Sequence, residues 1–264
     1  MLEQFDDETI NRLLKDKAPT KAWKDRSPEE RAVIRARIRE RELEAKRKKC
    51  AERIEAIWRR TVPERYQGVR LRTLKPSPVS HMPEDKQQAI INIMREAPTA
   101  GYAFFSPQGW SKSTFLYALY RRALVTNAWD VAMGITPTEG APVLGIHTLH
   151  PVMLYEAKDF MDQIQRWKIG EGHAPAVIAK KIERLKVDHG ITTHLFLDEF
   201  EKVKKSEFRM AEMYDIINAC YKFQAQLVIA GNMTKADLDD KNQYLEGTFR
   251  RIEDLTTPHF WEWK

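Results

Sequence analysis

The chain has 264 residues, 42% of them hydrophobic and 31% charged, and 44 Lys/Arg against 38 Asp/Glu give a formal charge of +6. That length holds one large domain or two modest ones, and the composition is globular, which excludes collagen-like and low-complexity chains. Cys50 and Cys220 stand far apart in helix-like segments, the opening MLEQFDDET lacks a basic start before an apolar run, and no stretch nears the ~18 apolar residues of a membrane span. A disulfide framework, secretion and membrane spanning are therefore not expected, and a cytoplasmic location is.

Charge is concentrated at the front. Residues 1–80 carry 22 Lys/Arg against 14 Asp/Glu, and residues 31–60 alone carry 12 basic and 5 acidic side chains. Residues 29–60 contain neither Gly nor Pro and are rich in Ala, Glu, Arg and Lys, which predicts a long helix. Ser27 is placed as its N-cap, Pro28 fits the first helical position, and Glu30 completes a capping box. Val33, Ile34, Ile38, Leu43, Ile54, Ile57 and Trp58 keep an irregular spacing, so the helix is expected to pack on a body or a partner and not to form a strict heptad coil. Its basic faces are either solvated or a surface for nucleic acid or an acidic partner.

Residues 74–85, LKPSPVSHMPED, hold three prolines and two serines and predict an extended linker or long turn. The chain is accordingly divided into a basic helical N-terminal module over residues 1–73, a linker over 74–84 and an α/β core over 85–264. A short amphipathic helix is predicted over 85–95 and a buried strand over 101–105.

The run FFSPQGWSKSTFL, residues 104–116, places a strand end, a tight loop and a helix start in the order of a phosphate-binding loop, GxxxxGK[ST]. Gly109, Lys112 and Ser113 fit, while Ser106 and Ser111 occupy the two glycine positions. Backbone N–H groups from Gly109, Trp110, Ser111 and Thr114 would surround phosphates, Lys112 would reach the terminal phosphates, and Ser113 would offer its hydroxyl to Mg²⁺. A side chain at 111 is expected to cost about 1 kcal/mol if the loop needs a left-handed residue there. The alternative is an ordinary Ser/Pro/Gly turn.

HLFLDEF, residues 194–200, is an apolar strand ending in two carboxylates, as in a Walker B element. Asp198 would hold Mg²⁺ and Glu199 would activate the attacking water; the alternative is a plain strand end. AQLVIAGN, residues 225–232, reads as another buried strand that delivers Asn232 where ligands of open α/β sheets gather, either to orient water or as a turn residue before a helix starting at 234 or 235. GTFRRIED, residues 247–254, sets two arginines in a short helix or turn, where one could contact phosphate in its own subunit or a neighbour's; Arg250 is favoured as the finger and Arg251 as structural or phosphate-facing, with a surface salt bridge as the alternative. The histidines form neither HExxH nor a Cys/His cluster, so no metal beyond Mg²⁺ is implied. The tryptophans are expected to pack cores or interfaces, with Trp110 in the loop able to cover a nucleotide or a partner.

These elements in this order resemble the AAA+ ATPases of the DnaC and IstB type, bacterial helicase loaders and transposition helper ATPases, over roughly residues 85–264. VMLYEAKDFMDQIQR, residues 152–166, looks like the family's second strand and helix, LVIAGN like its sensor 1 strand, FRRIEDL like its arginine region, and HFWEW, residues 259–263, like its last strand. The resemblance implies a P-loop AAA+ core with a parallel sheet flanked by helices, ATP and Mg²⁺ between subunits, assembly into a ring or spiral, engagement of DNA, a replicative helicase or transposase as partner, and little or no separate helical lid. The sequence departs from the family at Ser106, Trp110 and Ser111, and the stretch 127–150 is longer than a simple connection, either a DNA-facing loop or a cover for the core. A nucleotide-blind adaptor bridging DNA and protein is the competing class, supported by the two serines; a small-molecule kinase is the third, for which no acceptor-binding signature appears.

Overall fold

The computed structural model describes residues 26–132, 151–168, 178–203, 206–234, 237 and 247–260. The chain divides into two compact units, Met1–Glu55 and Ala56–Lys264, with helix α1 (Pro28–Thr61) running from the first into the second. Its start is a reciprocal capping box: Glu30 N–H donates to Ser27 Oγ at 3.2 Å and Ser27 N–H to Glu30 Oε2 at 2.6 Å. In the first unit Ile34, Ile38 and Ile54 are buried.

The second unit is built on a five-stranded parallel sheet: β1 (Gly101–Phe105), β2 (Val152–Glu156), β3 (His194–Asp198), β4 (Gln226–Gly231) and β5 (Thr256–Phe260), in the order β2-β3-β4-β1-β5. Helices α2 (Glu84–Glu96), α3 (Lys112–Ala132), α4 (Ala157–Lys168), α5 (Ile178–His189), α6 (Glu207–Lys222) and α7 (Thr248–Leu255) accompany it. Successive strand side chains point to opposite faces. Ala103, Phe105, Leu195, Leu197, Leu227 and Ile229 enter one core with Phe160, Ile164, Ile182, Met213, Ile217 and Ile252 from α4 to α7. Phe104 and Phe196 face the other way, toward Phe115 and Tyr120 of α3, with ring centroids 5.6 and 5.4 Å apart. Because both faces are covered, the middles of the central strands are apolar on both sides, which is why Leu195–Leu197 and Leu227–Ala230 read as unbroken hydrophobic runs.

The end of α1 joins this unit through Trp58, 1% exposed. Its indole lies 5.9 Å from the Tyr120 ring, donates to Gln67 O at 2.9 Å, and carries the Arg121 guanidinium 4.8 Å from its centroid. Packing is thus the role of Trp58; the side chains of Trp129 and Trp167 and residues 261–264 lie outside the described residues. Helix α3 extends through Ala132, so 127–132 is helix, and 133–150 is not described.

The last strand begins at Thr256, three residues before the expected 259, immediately after α7. TTP offers no apolar run to signal a strand, and Pro258 is tolerated because β5 lies at the sheet edge. Among the described residues no helix is long and apolar enough to cross a membrane.

Candidate functional site

The sheet order sets β4 between β1 and β3, so the carboxyl ends of these strands open into one crevice. Beyond β1, Ser106 N–H still donates to Gly231 O at 3.3 Å, and Ser106 is buried. The chain then turns through Gly109, at φ 84°, and Ser111, at φ 61°, before α3 begins at Lys112. Ser111 O accepts from Phe115 N–H at 3.1 Å, which makes residue 111 the cap of the helix. The left-handed backbone at Ser111 is costly for a residue that carries a side chain.

Glycine suits position 109 by its backbone and by the space around it. Its φ is positive, and a Cβ there would stand 2.7 Å from His81 Nδ1. The approach arises because the irregular segment before α2 lies over the loop: Gly109 O accepts from His81 N–H at 3.0 Å and from the Ser80 hydroxyl at 3.3 Å. Gln87 fixes the same segment, accepting from Ser77 N–H at 2.8 Å and donating to Met82 O at 2.8 Å.

Lys112 is buried, and its ammonium donates to Pro107 O within the loop. Burial lowers its pKa to about 8, opposed by the nearby Glu201 and Asp198 carboxylates. In the first turn of α3 Ser113 faces the end of β3, where its hydroxyl donates to Asp198 Oδ1 at 3.2 Å. The same oxygen accepts from Glu199 N–H at 2.9 Å. Burial raises the Asp198 pKa, and these hydrogen bonds pull it back down.

The next two carboxylates go elsewhere. Glu199 has a left-handed backbone, φ 55°, and caps a single 3₁₀ turn, Phe200–Lys202, which returns Lys202 over it: Lys202 Nζ lies 2.6 Å from Glu199 Oε1. Phe200, fully buried, anchors that turn. Glu201 grips Asn232 with both oxygens, accepting from its backbone N–H at 2.9 Å and from its side-chain amide at 2.6 Å. After Asn232, Thr234 and Asp237 bond reciprocally, the side-chain pattern of a helix start.

A cavity of about 380 Å³ lies over these groups, within the usual size for a small-molecule site. Gly109, Trp110, Ser111, Lys112, Ser113, Thr114, Asp198, Glu199 and Asn232, all singled out from the sequence, line it together. Arg250 does not. It is exposed on α7 with no ion pair or hydrogen bond among the described residues, whereas Arg251 lies 4.0 Å over the Tyr221 ring and 3.9 Å from Asp254. Gln108 and Gly231 also line the cavity, as do Arg65, Tyr66, Ser77, Val79, Ser80 and Glu201, which the sequence did not single out. Glu201 had a signal, since it alternates with Glu199 around an apolar residue; Ser77 to Ser80 looked like linker, and nothing in the sequence marks Arg65 or Tyr66.

The residues fit a nucleotide with a divalent cation. The first turn of α3 leaves N–H groups without helical partners at the cavity, the buried Lys112 ammonium donates to a neutral carbonyl, and Ser113 and Asp198 face each other at 3.2 Å. Among the described residues no group of three or more His, Cys, Asp or Glu is set to hold a metal. A cation at Asp198 would draw its other ligands from Ser113, phosphate oxygens and water, as Mg²⁺ does.

No protein-family model matches the chain and no curated protein matches its sequence. Among solved structures it is similar to the DnaC helicase loader, at 15% identity and a TM-score of 0.49, over 76% of this chain and 100% of that one. It is similar to AMPPCP-bound DnaA from Aquifex aeolicus at 14% identity and 0.47, over 76% of this chain and 51% of that one, and to a DNA replication initiation factor at 17% and 0.44, over 74% and 50%. The chain thus spans about half the length of the latter two. What the cleft can do chemically follows from its own residues.

Proposed function

We propose that the chain binds ATP with Mg²⁺ in this cleft and hydrolyses it, and that it serves as an ATP-dependent DNA-transaction factor that recruits, loads or remodels a partner protein, a transposase or a replicative helicase. The observation that carries the nucleotide reading is the meeting of Lys112, Ser113 and Asp198 at the mouth of one helix, over a cavity of about 380 Å³. Gly109 and the residues of 110–114 would cradle phosphate through backbone N–H groups, and Lys112 would exchange its contact with Pro107 O for phosphate oxygens. Ser113 and Asp198 would hold Mg²⁺, which neutralises charge on the phosphates when bound. Glu199, on release from Lys202, would accept a proton from the attacking water, with Asn232 kept in place by Glu201 to orient it.

Arg250, exposed and unengaged among the described residues, suits a contact with nucleotide held by a neighbouring copy; Arg251, already committed to Tyr221 and Asp254, does not. ATP would then hold copies together in a ring or spiral, and hydrolysis would release them. The dense positive charge of residues 31–60 supports engagement of DNA.

Two observations favour the adaptor instead: Ser111 has a left-handed backbone, and the Lys112 ammonium already donates to Pro107 O. Titration with a fluorescent ATP analogue, with and without Mg²⁺, separates the two. Mg²⁺-dependent binding that Lys112→Ala abolishes supports the ATPase, whereas absence of binding by the folded protein, with DNA also present, refutes it in favour of the adaptor.

A further inference from the structure

We infer that Arg65 is a second cation for the terminal phosphate of the bound nucleotide, supplied by the chain's own cleft wall, and that it sets the preference of the site for a triphosphate over a diphosphate. The inference rests on the reading of the cleft as a nucleotide and Mg²⁺ site and names a residue that reading does not use.

The chain from Trp58 to Tyr66 descends α3 toward its first turn. Trp58 meets Tyr120 and Arg121, and the Thr61 and Tyr120 hydroxyls lie 3.2 Å apart. One turn nearer the start of α3, the ring of the buried Tyr117 lies 4.7 Å from that of Tyr66. One turn nearer again, Ser113 lines the cavity of about 380 Å³, and Arg65 lines it too. The single 3₁₀ turn Glu64–Tyr66 makes this possible, because it sets Arg65 beside the residue that packs on α3. The Arg65 guanidinium lies 4.8 Å from the Tyr66 centroid, so the ring held by α3 is also the platform for the cation. Arg65 is exposed, and its side chain makes no hydrogen bond or ion pair among the described residues.

A second cavity, of about 230 Å³, shows at which end of the cleft Arg65 stands. Tyr117 and Asp198 line it together, with Arg60 from the last turn of α1 and Glu156 from the end of β2. Asp198 lines both cavities, and Tyr66 packs on Tyr117, so Arg65 belongs to the Asp198 end of the larger one. A nucleotide held by the N–H groups of the loop would place its last phosphate there, beside Lys112, Asp198 and Glu199. The charged lining of the larger cavity is Asp198, Glu199 and Glu201 against Lys112 and Arg65. With Lys112 alone, the three carboxylates would face one ammonium, and a nucleoside triphosphate stays net negative even with Mg²⁺ bound. A guanidinium offsets that charge, and its planar fork donates two parallel hydrogen bonds to one phosphate. A diphosphate lacks the group that the fork would meet.

The test is binding of a fluorescent, non-hydrolysable ATP analogue and of the matching ADP analogue to the full chain with Mg²⁺, for wild type, Arg65→Gln and Arg65→Lys. The expected result for Arg65→Gln is a loss of about tenfold in affinity for the triphosphate, with affinity for the diphosphate unchanged. Arg65→Lys should lose less, since it keeps the charge but not the fork. An unchanged ratio of the two affinities in Arg65→Gln overturns the inference, whether both affinities hold or both fall, because a merely structural role would weaken both alike. A second measurement reads the unaltered chain: the ¹⁵Nε resonance of Arg65, assigned by its absence from the Arg65→Lys spectrum, should move on addition of the triphosphate analogue and stay when the diphosphate is added. A resonance that responds to both alike, or to neither, overturns the assignment. Failure of wild type to bind either analogue removes the site reading and this inference with it, whereas normal wild-type binding with an indifferent Arg65→Gln removes only the role of Arg65.

Discussion

Replacing Ser111 by glycine tests whether the loop holds the strain its backbone implies. Ser111 sits at φ 61° while serving as the helix cap whose carbonyl accepts from Phe115 N–H at 3.1 Å, so the conformation is imposed by the turn and not by the side chain. A left-handed backbone costs a residue with a Cβ about 1–2 kcal/mol. Glycine removes that cost but gives back about 0.4–1 kcal/mol through the greater freedom of the unfolded chain. The net is a stabilisation of about 0.5–1 kcal/mol, which for a unit of this size raises the midpoint of thermal unfolding by about 1–4 °C. Ser111→Ala is the matched control, since it deletes the hydroxyl but keeps the Cβ. Scanning calorimetry of wild type and both variants, at one pH and protein concentration, decides it. If Ser111→Gly melts no higher than Ser111→Ala, the residue is not strained and the cost assigned to the missing glycine is wrong. The same variant should bind a fluorescent ATP analogue more tightly, because its backbone presents no side chain to the cavity it lines.

Two further outcomes follow from the charges at the cleft. Lys112 has its pKa lowered from 10.5 to about 8, chiefly by burial, so the unliganded fold is penalised in full for the protonated ammonium below pH 8 and relieved between 8 and 10.5. Bound phosphate favours the ammonium, so nucleotide affinity should fall as pH rises above about 8, and binding near pH 8.5 should take up protons, measurable by calorimetry in buffers of different ionisation enthalpy; a pH-independent affinity, or equal uptake by Lys112→Ala, contradicts this. Glu201 both grips Asn232 and raises the Lys112 pKa. Glu201→Gln should therefore lower turnover by about tenfold or more through a misplaced Asn232 while leaving nucleotide bound, and should move the pH midpoint of binding downward; unchanged turnover would show that the grip on Asn232 has no part in hydrolysis.

The parts of this fold that could be read from the sequence are those whose physics is local. The capping box of Ser27 and Glu30 is four consecutive residues, and it forms as read. The runs GYAFF, HLFLD and QLVIAG are legible because central parallel strands are buried on both faces. β5 starts earlier than its sequence signals because its first residues, TTP, are compatible with an edge strand without announcing one. Residues 77–82 were opaque for a different reason. Their contacts with the loop go through Gly109 O, and a backbone acceptor leaves no trace in side-chain composition. The candidate site was legible as two separate motifs, each weak alone. Their meeting required the sheet order to put β4 between β1 and β3, which no local pattern encodes.

The strain in the described backbone is distributed in a way that bears on function. Three residues other than glycine have positive φ: Ser111, Glu199 and Gln224. Gln224 is in the short connection between α6 and β4, where a tight turn accounts for it. The other two line the same cavity, one at the start of α3 and one at the end of β3, and each is followed directly by a well-buried anchor, Lys112 in one case and Phe200 in the other. Such conformations cost about 1–3 kcal/mol each and persist where surrounding structure over-determines them. At Ser111 the turn aims the first N–H groups of α3 into the cleft; at Glu199 it separates three nearby carboxylates, sending Asp198 to Ser113, Glu199 to Lys202 and Glu201 to Asn232. Relaxing either backbone would give up one of these alignments. The two serines that defeat a strict phosphate-loop pattern therefore differ in kind: Ser106 is buried and bonded to its neighbours, whereas Ser111 keeps the turn in the left-handed conformation that a glycine would adopt without cost.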